Sequence, residues 1–321
     1  MKIAIVSPEA PERRKQFLDL ASPDMECVFV ADTASDDEKL TVCKDADAII
    51  LAAPGADLSM DALHQCSNVK LMQGVLAGYD RFDIKGMAEL GIPYANNGGG
   101  NAIAVAEHAL GLLLALGRGI VRGARNTRDR RWNEGIRGAP SWELSGKRVG
   151  IIGLGPIGQA MARLLHGFGT DTVYYKRTPA TPELESELRA RFVPLDDLMS
   201  TADAISVHLS LTPESRQLIG AREIALMKPT ATIVNTSRGA VIDEAALYEA
   251  LRDGRIAGAG LDVLEEEPTP ADNPLLGLEN VIVTPHMSGL SRESTPRSAR
   301  FAMANVRRAV LGEPIQSVVK P

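Results

Sequence analysis

Three polar residue types in the second half of the sequence could do chemistry together. Arg238 lies in Asn235-Thr236-Ser237-Arg238-Gly239, an acidic run Glu265-Glu266-Glu267 follows Leu261-Asp262-Val263-Leu264, and His286 closes Thr284-Pro285-His286. A guanidinium is always protonated and holds a carboxylate through two parallel hydrogen bonds. An imidazole titrates near neutral pH, so it can give a proton to a carbonyl oxygen or take one from a hydroxyl. A carboxylate beside the ring favours its charged form and fixes its orientation. Such a set suits interconversion of a 2-oxo and a 2-hydroxy acid, provided that hydride has a carrier. Singly, each residue has a plainer reading: a surface ion pair for the arginine, a solvated loop for the acidic run, a structural role for the histidine.

A carrier site is written in Gly153-Leu154-Gly155-Pro156-Ile157-Gly158, which follows a predicted strand and opens a predicted helix over 159–166. In that context the first glycine permits a tight turn and the second lets backbone approach a pyrophosphate. The third lets the helix pack close, with its N-terminus facing the phosphates. About twenty residues on, an acidic side chain would bind the ribose 2′-hydroxyl of NAD, but the second strand here runs into Tyr175-Lys176-Arg177-Thr178. Arginine can grip a 2′-phosphate and threonine can donate to it, so the sequence predicts NADP in preference to NAD.

Strand candidates must position these groups. The first hundred residues alternate short apolar runs at 3–6, 27–30, 48–51, 69–72 and 92–94 with amphipathic segments, the pattern of a parallel sheet covered by helices. A second series runs through 148–152, 172–175, 204–208, 231–234, 257–263 and 281–283, six candidates that match one dinucleotide-binding fold. The expected class is α/β, with two doubly wound parallel-sheet domains. A flavodoxin-like substrate domain spans residues 1–100 plus 288–321, and an inserted Rossmann domain spans 101–287. In an open parallel sheet ligands bind outside the carboxyl ends of the strands, so Arg238, the acidic run, His286 and the glycine loop share one rim. Among the five histidines, His64 and His166 fall on ordinary helical stretches and His108 on an apolar helix, where packing is expected. His208 closes a strand and faces the cofactor cleft.

Bulk properties agree. At 321 residues the chain is long for one core. A net charge of -6 disfavours nucleic acid, and the segment 122–145, rich in arginine, glycine and tryptophan, reads as a surface arm. Cys27, Cys43 and Cys66 form an odd set without C-x-x-C spacing, expected as free thiols in the cytoplasm. No metal site is expected. The start of the chain reads as a strand, not a signal peptide. The apolar stretch 102–116, broken by Glu107 and His108, is shorter than a membrane span.

Taken together, the motifs resemble the D-isomer-specific 2-hydroxyacid dehydrogenases over nearly the whole chain. The matching segments are Gly78-Tyr79-Asp80, Ala104 to His108, Val149 to Gly158, His208 to Thr212, Met227-Lys228-Pro229, Asn235 to Gly239, Leu261 to Pro268 and Thr284 to His286. The resemblance implies Arg238 as the substrate-binding arginine and His286 as the acid/base. Glu267, five residues after Asp262 and just before proline, would be the glutamate paired with the histidine. Asp262 would hold the nicotinamide carboxamide, and backbone groups of Leu76, Ala77 and Gly78 would meet the substrate carboxylate beside Arg238 and His286. Pro156, Ile157, His208, Leu209, Thr212, Thr236, Ser237 and Ser288 would line the dinucleotide. It also implies hinged domains and a homodimer built on the helix after Asn101 and the arm that follows.

The sequence departs from the family's pattern at Lys176, where NAD-dependent members carry an acid, and at Ser210, where proline is usual. The expected substrates are glyoxylate or hydroxypyruvate. Two rivals are a phosphite- or formate-type enzyme and a dinucleotide-sensing corepressor. Formate-type members pair their histidine with glutamine, which Glu267 contradicts. The compact length, without a disordered interaction tail, disfavours the corepressor.

Overall fold

The computed structural model describes residues 1–136 and 141–321, and residues 137–140 of the predicted arm lie outside them. Contacts divide the chain into two compact units, Met1–Asn101 with Ser291–Pro321, and Ala102–Leu290.

The first unit runs β1 (Lys2–Ser7), α1 (Pro11–Leu18), β2 (Glu26–Ala31), α2 (Asp36–Cys43), β3 (Ala48–Leu51), α3 (Met60–Leu63), β4 (Met72–Gly74), α4 (Ile84–Glu89) and β5 (Tyr94–Ala95), and ends with a C-terminal helix, Ser294–Leu311. Its sheet is parallel in the order β2-β1-β3-β4-β5, the flavodoxin-like arrangement. Side chains alternate across a strand, which explains the apolar runs. Ile3 and Ile5 pack under Ala302, Met303 and Val306 of the C-terminal helix, while Ala4 and Val6 pack with Cys43, Leu63 and Met87 on the other face. The fourth strand sits three residues later than the run at 69–72 suggests. It can include Gly74 because the Tyr94 hydroxyl fills the space that a Cβ would need.

The second unit runs α5 (Ala102–Gly117), α6 (Ile120–Arg128), β6 (Arg148–Ile152), α7 (Pro156–His166), β7 (Asp171–Tyr175), α8 (Pro182–Leu188), β8 (Ala190–Phe192), α9 (Leu195–Thr201), β9 (Ala204–Val207), α10 (Ala221–Leu226), β10 (Thr232–Asn235), α11 (Glu244–Arg252), β11 (Gly258–Leu261) and β12 (Val281–Val283). Its parallel sheet has the order β12-β11-β10-β9-β6-β7-β8. The sequence reading missed β8, because Ala190-Arg191-Phe192 is a short edge strand with one exposed position and no β-branched run. Close packing of α5 depends on glycine in β11, since Leu112 lies 3.0 Å from where a Cβ at Gly260 would stand. No single helix among the described residues is long and apolar enough to cross a membrane.

A buried amide pair locks the first unit. Gln73 Nε2 donates to the carbonyls of Gly74, Ala95 and Asn96, and its Oε1 accepts from Asn305 Nδ2 at 2.7 Å. Asn305 also exchanges two hydrogen bonds with the Gln316 backbone. Both amides are 0 % exposed. Asn305→Ala would leave Gln73 Oε1 without its donor and the Gln316 N–H without its acceptor. Urea unfolding should then show a loss of about 2–3 kcal/mol, and a change under about 0.5 kcal/mol would contradict this account.

Candidate active site

The glycine loop joins β6 to α7. Gly153 has φ 98°, a conformation that favours glycine, and a Cβ there would strike the His208 carbonyl. A Cβ at Gly158 would strike the Gly153 carbonyl, so the helix can start only against bare backbone. Gly155 differs: a Cβ there would meet open space. It is the N-cap of α7 and offers no side-chain cap, and Pro156 follows at the first helical position. The helix thus begins on an exposed surface at Gly155 and Pro156 with the next backbone N–H, that of Ile157, uncapped, which fits the pyrophosphate of a dinucleotide.

Three further loops leave the adjacent ends of β10, β11 and β12. After β10, buried Asn235 closes the turn: its Oδ1 accepts from Ser237 N at 3.0 Å and Ser237 Oγ at 2.7 Å, and its Nδ2 donates to the Arg238 carbonyl at 2.9 Å. Arg238 Nη1 donates to the Ser237 carbonyl at 2.8 Å, and its side chain is half-buried. Gly239 follows in backbone contact with Leu264 and Glu265, where any side chain would collide. After β11, Glu267 accepts the Leu264 N–H through Oε1 at 3.1 Å and meets His286 Nδ1 through Oε2 at 2.6 Å. Among the described residues the other ring nitrogen, Nε2, has no hydrogen-bond partner.

The turn carrying His286 is held from beneath by Asp262, 1 % exposed. Asp262 Oδ1 accepts from Thr284 Oγ1 at 2.6 Å and Met287 N at 3.0 Å, and Oδ2 accepts from Ser288 N at 2.8 Å. His286 itself sits at φ 49°, a left-handed conformation that costs roughly 1–2 kcal/mol for a non-glycine residue. Its N–H donates to the Asp262 carbonyl at 2.8 Å and the Thr284 carbonyl at 3.0 Å.

Here the structure corrects the expectation for His108. Instead of only packing, this α5 side chain places Nε2 at 3.0 Å from Thr284 Oγ1 and 3.6 Å from Asp262 Oδ1. The Thr284 hydroxyl proton goes to an acceptor-only carboxylate, so His108 must be the donor to Thr284. Sequence reasoning missed this residue and Asn235. Their signal was available in the matched segments Ala104 to His108 and Asn235 to Gly239, but it carried no hint of a supporting role.

The other predicted cofactor residues lie along the same rim. Lys176 is half-buried, Arg177 and Thr178 are exposed, and Lys176 makes no ion pair among the described residues. Thr212 sits in a turn closed by Ser215 Oγ, which accepts the Thr212 N–H at 2.8 Å and donates to the Ser210 carbonyl at 2.7 Å. Leu209 and Ile157 are half-buried, while Thr236, Ser237 and Ser288 are buried. In the first unit, the Leu76 and Ala77 carbonyls accept from Asn97 N and Asn96 Nδ2. The N–H groups of Leu76, Ala77 and Gly78 have no acceptor among the described residues, which leaves a row of donors suited to an anion.

His208 follows directly on β9. Its ring is nearly buried, with Nε2 at 2.9 Å from Ser206 Oγ and Nδ1 at 3.5 Å from Thr236 Oγ1. Burial pushes this imidazole down to about 3. An unfolded histidine titrates near about 6.5. Between those values the unfolded chain takes up a proton that the folded chain refuses, so the stability contributed is present above the window and lost as pH falls through it. Compared by urea unfolding at about pH 7.5 and about pH 5, the native protein should lose about 2 kcal/mol more than His208→Gln. Equal losses would contradict the neutral, buried assignment.

A family model described as D-isomer specific 2-hydroxyacid dehydrogenase, NAD binding domain, matches residues 110–288. A glyoxylate reductase of Korarchaeum cryptofilum is 36% identical over 316 residues, covering 96% of this chain and 92% of that protein. A hydroxypyruvate reductase of Blautia hydrogenotrophica is 33% identical over 303 residues, covering 92% of each. The apo D-mandelate dehydrogenase of Rhodotorula graminis is similar in structure, with a TM-score of 0.88, 28% identity and coverage of 100% of this chain and 98% of that one. The chain therefore belongs to the D-isomer specific 2-hydroxyacid dehydrogenase family, as an NAD(P)-dependent oxidoreductase acting on CH–OH donors.

Proposed function

We propose that the protein reduces a small 2-oxo acid, glyoxylate or hydroxypyruvate, to the D-2-hydroxy acid, with NADPH preferred over NADH. The observation that carries this reading is the 2.6 Å contact of Glu267 with His286 Nδ1, which leaves Nε2 as the one ring nitrogen available to substrate. The names of the two relatives above support the substrate class, and the side chains Lys176, Arg177 and Thr178 support the cofactor preference.

In this reading Ala102–Leu290 holds the dinucleotide and the catalytic groups, and the unit of Met1–Asn101 with Ser291–Pro321 holds the substrate. The residues present fit a dinucleotide: Gly153, Gly155 and Gly158 allow its backbone approach, and Pro156 and Ile157 flank the phosphates. Bound there, the reduced nicotinamide supplies hydride to C2. Asp262 Oδ2, with one donor, keeps a lone pair for the carboxamide. Arg238 holds the substrate carboxylate and polarises the carbonyl. His286 Nε2–H passes its proton to the carbonyl oxygen as charge develops there. Glu267 keeps the proton on Nε2 in the charged ring and compensates that charge.

Exposed Ile103, Ile120, Val121 and Trp132 give α5, α6 and the arm an apolar surface that supports a homodimer. Three free cysteines support a reducing compartment such as the cytoplasm. A phosphite-type enzyme and a non-catalytic corepressor are separated from this reading by activity alone. NADPH oxidation should be fast with glyoxylate or hydroxypyruvate, and reduction of NADP+ or NAD+ by phosphite should be absent. His286→Ala should lower kcat about a hundredfold or more. Near-normal turnover in that variant, or a higher kcat/KM for NADH than for NADPH, would contradict the assignments.

A further inference from the structure

The loop that leaves β7, Lys176-Arg177-Thr178-Pro179-Ala180, is tied down at both ends. At its start the Tyr175 carbonyl accepts the Gly153 N–H at 2.9 Å, which joins it to the glycine loop. At its far end the Ala180 N–H donates to the hydroxyl of Tyr174 at 2.8 Å. Tyr174 is wholly buried in the sheet, with its ring edge-on to Phe192 at 5.8 Å between centroids. Its hydroxyl donates to Glu185 Oε1 at 2.6 Å, and the same carboxylate oxygen accepts the Phe192 N–H at 3.2 Å. Phenylalanine would fill this space as well, and a buried hydroxyl is tolerated only when its hydrogen bonds are made. Here both are made, one to the loop and one to α8. Burial and the adjoining carboxylate push the Tyr174 hydroxyl up to about 12, so it remains a donor.

Between these two ties lie the cations. Lys176 has no ion pair among the described residues. Arg177 acts on Glu214, whose carboxyl is held below the usual carboxylate range by the Thr212 hydroxyl, by a backbone N–H and by Arg177. Glu185 Oε1 is turned to the interior, where it accepts from Tyr174 and from the Phe192 N–H.

We propose that Tyr174 and Glu185 are positioning residues for recognition of a 2′-phosphate on the adenosine ribose: their clamp on Ala180 holds the five-residue loop in the shape that presents Lys176 and Arg177 to that phosphate. The inference rests on the NADP reading above and names the interior groups that set it. A loop already held in shape spends none of its binding free energy on ordering, and only a ligand that touches the loop gains from this.

The test uses the full chain without turnover. Calorimetric titration compares adenosine 2′,5′-bisphosphate with adenosine 5′-monophosphate, which lacks the 2′-phosphate. The native protein should bind the bisphosphate more tightly. Tyr174→Phe should weaken bisphosphate binding about tenfold and leave the monophosphate within about twofold. Glu185→Ala should behave like Tyr174→Phe, whereas Glu185→Gln keeps an acceptor oxygen and should stay within about threefold of the native affinity. Where Tyr174→Phe fails to fold, the Glu185→Ala and Glu185→Gln pair supplies the same comparison. Equal weakening of both ligands, or a native preference that survives Tyr174→Phe or Glu185→Ala, would overturn the inference alone. Equal native affinity for the two nucleotides would overturn the cofactor reading and this inference with it.

Discussion

The active site depends on one buried aspartate that joins three loops. The Asp262 N–H donates to the Asn235 carbonyl at the end of β10, and its carbonyl accepts the His286 N–H. Its carboxylate takes up Thr284, Met287 and Ser288. Main chain and side chain together thus tie the arginine turn to the histidine turn. A buried carboxylate is costly to desolvate, and three donors are what make this one tolerable. The same donors hold His286 in a left-handed conformation it would not otherwise keep.

Around that residue the backbone is packed as closely as it can be. Side chains at Gly153 and Gly239 would strike a carbonyl of a neighbouring loop, and one at Gly158 would strike the Gly153 carbonyl of its own loop. Parallel strands lie about 4.8 Å apart, so loops leaving neighbouring strand ends have no room to shift independently. Rigidity of this kind suits a site whose groups must meet a small substrate in fixed geometry. Polar side chains in the layer below, namely His108, Asn235, Ser215 and His208, spend their hydrogen bonds on backbone groups or on the hydroxyls of neighbouring serines and threonines. Arg238, Glu267 and His286 are thereby held in place by residues that do no chemistry themselves.

Much of this was legible in the sequence because parallel strands buried on both faces read as apolar runs, and because the residues that follow them share one rim. The glycine spacing, Arg238, Glu267 and His286 all stand at ends of predicted strands. What escaped has physical reasons. The strand Ala190–Phe192 is too short and too exposed to carry a pattern. His108 lies on a helix whose apolar periodicity masks a single polar contact to Thr284. Tyr174 reads as an ordinary aromatic in a strand, since nothing in a linear sequence shows that its hydroxyl reaches Ala180 six residues on and Glu185 on the next helix. Contacts of that kind arise from folding, and no spacing rule encodes them.

The central claim is that a guanidinium and an imidazole meet one substrate. It is tested most directly by a crystal structure with oxamate, an unreactive analogue of a 2-oxo acid, bound together with the reduced dinucleotide. The account predicts the Arg238 guanidinium on the oxamate carboxylate and His286 Nε2 on the neighbouring carbonyl oxygen, both at about 3 Å. Oxamate bound away from His286, or Arg238 turned toward a different cavity, would contradict it.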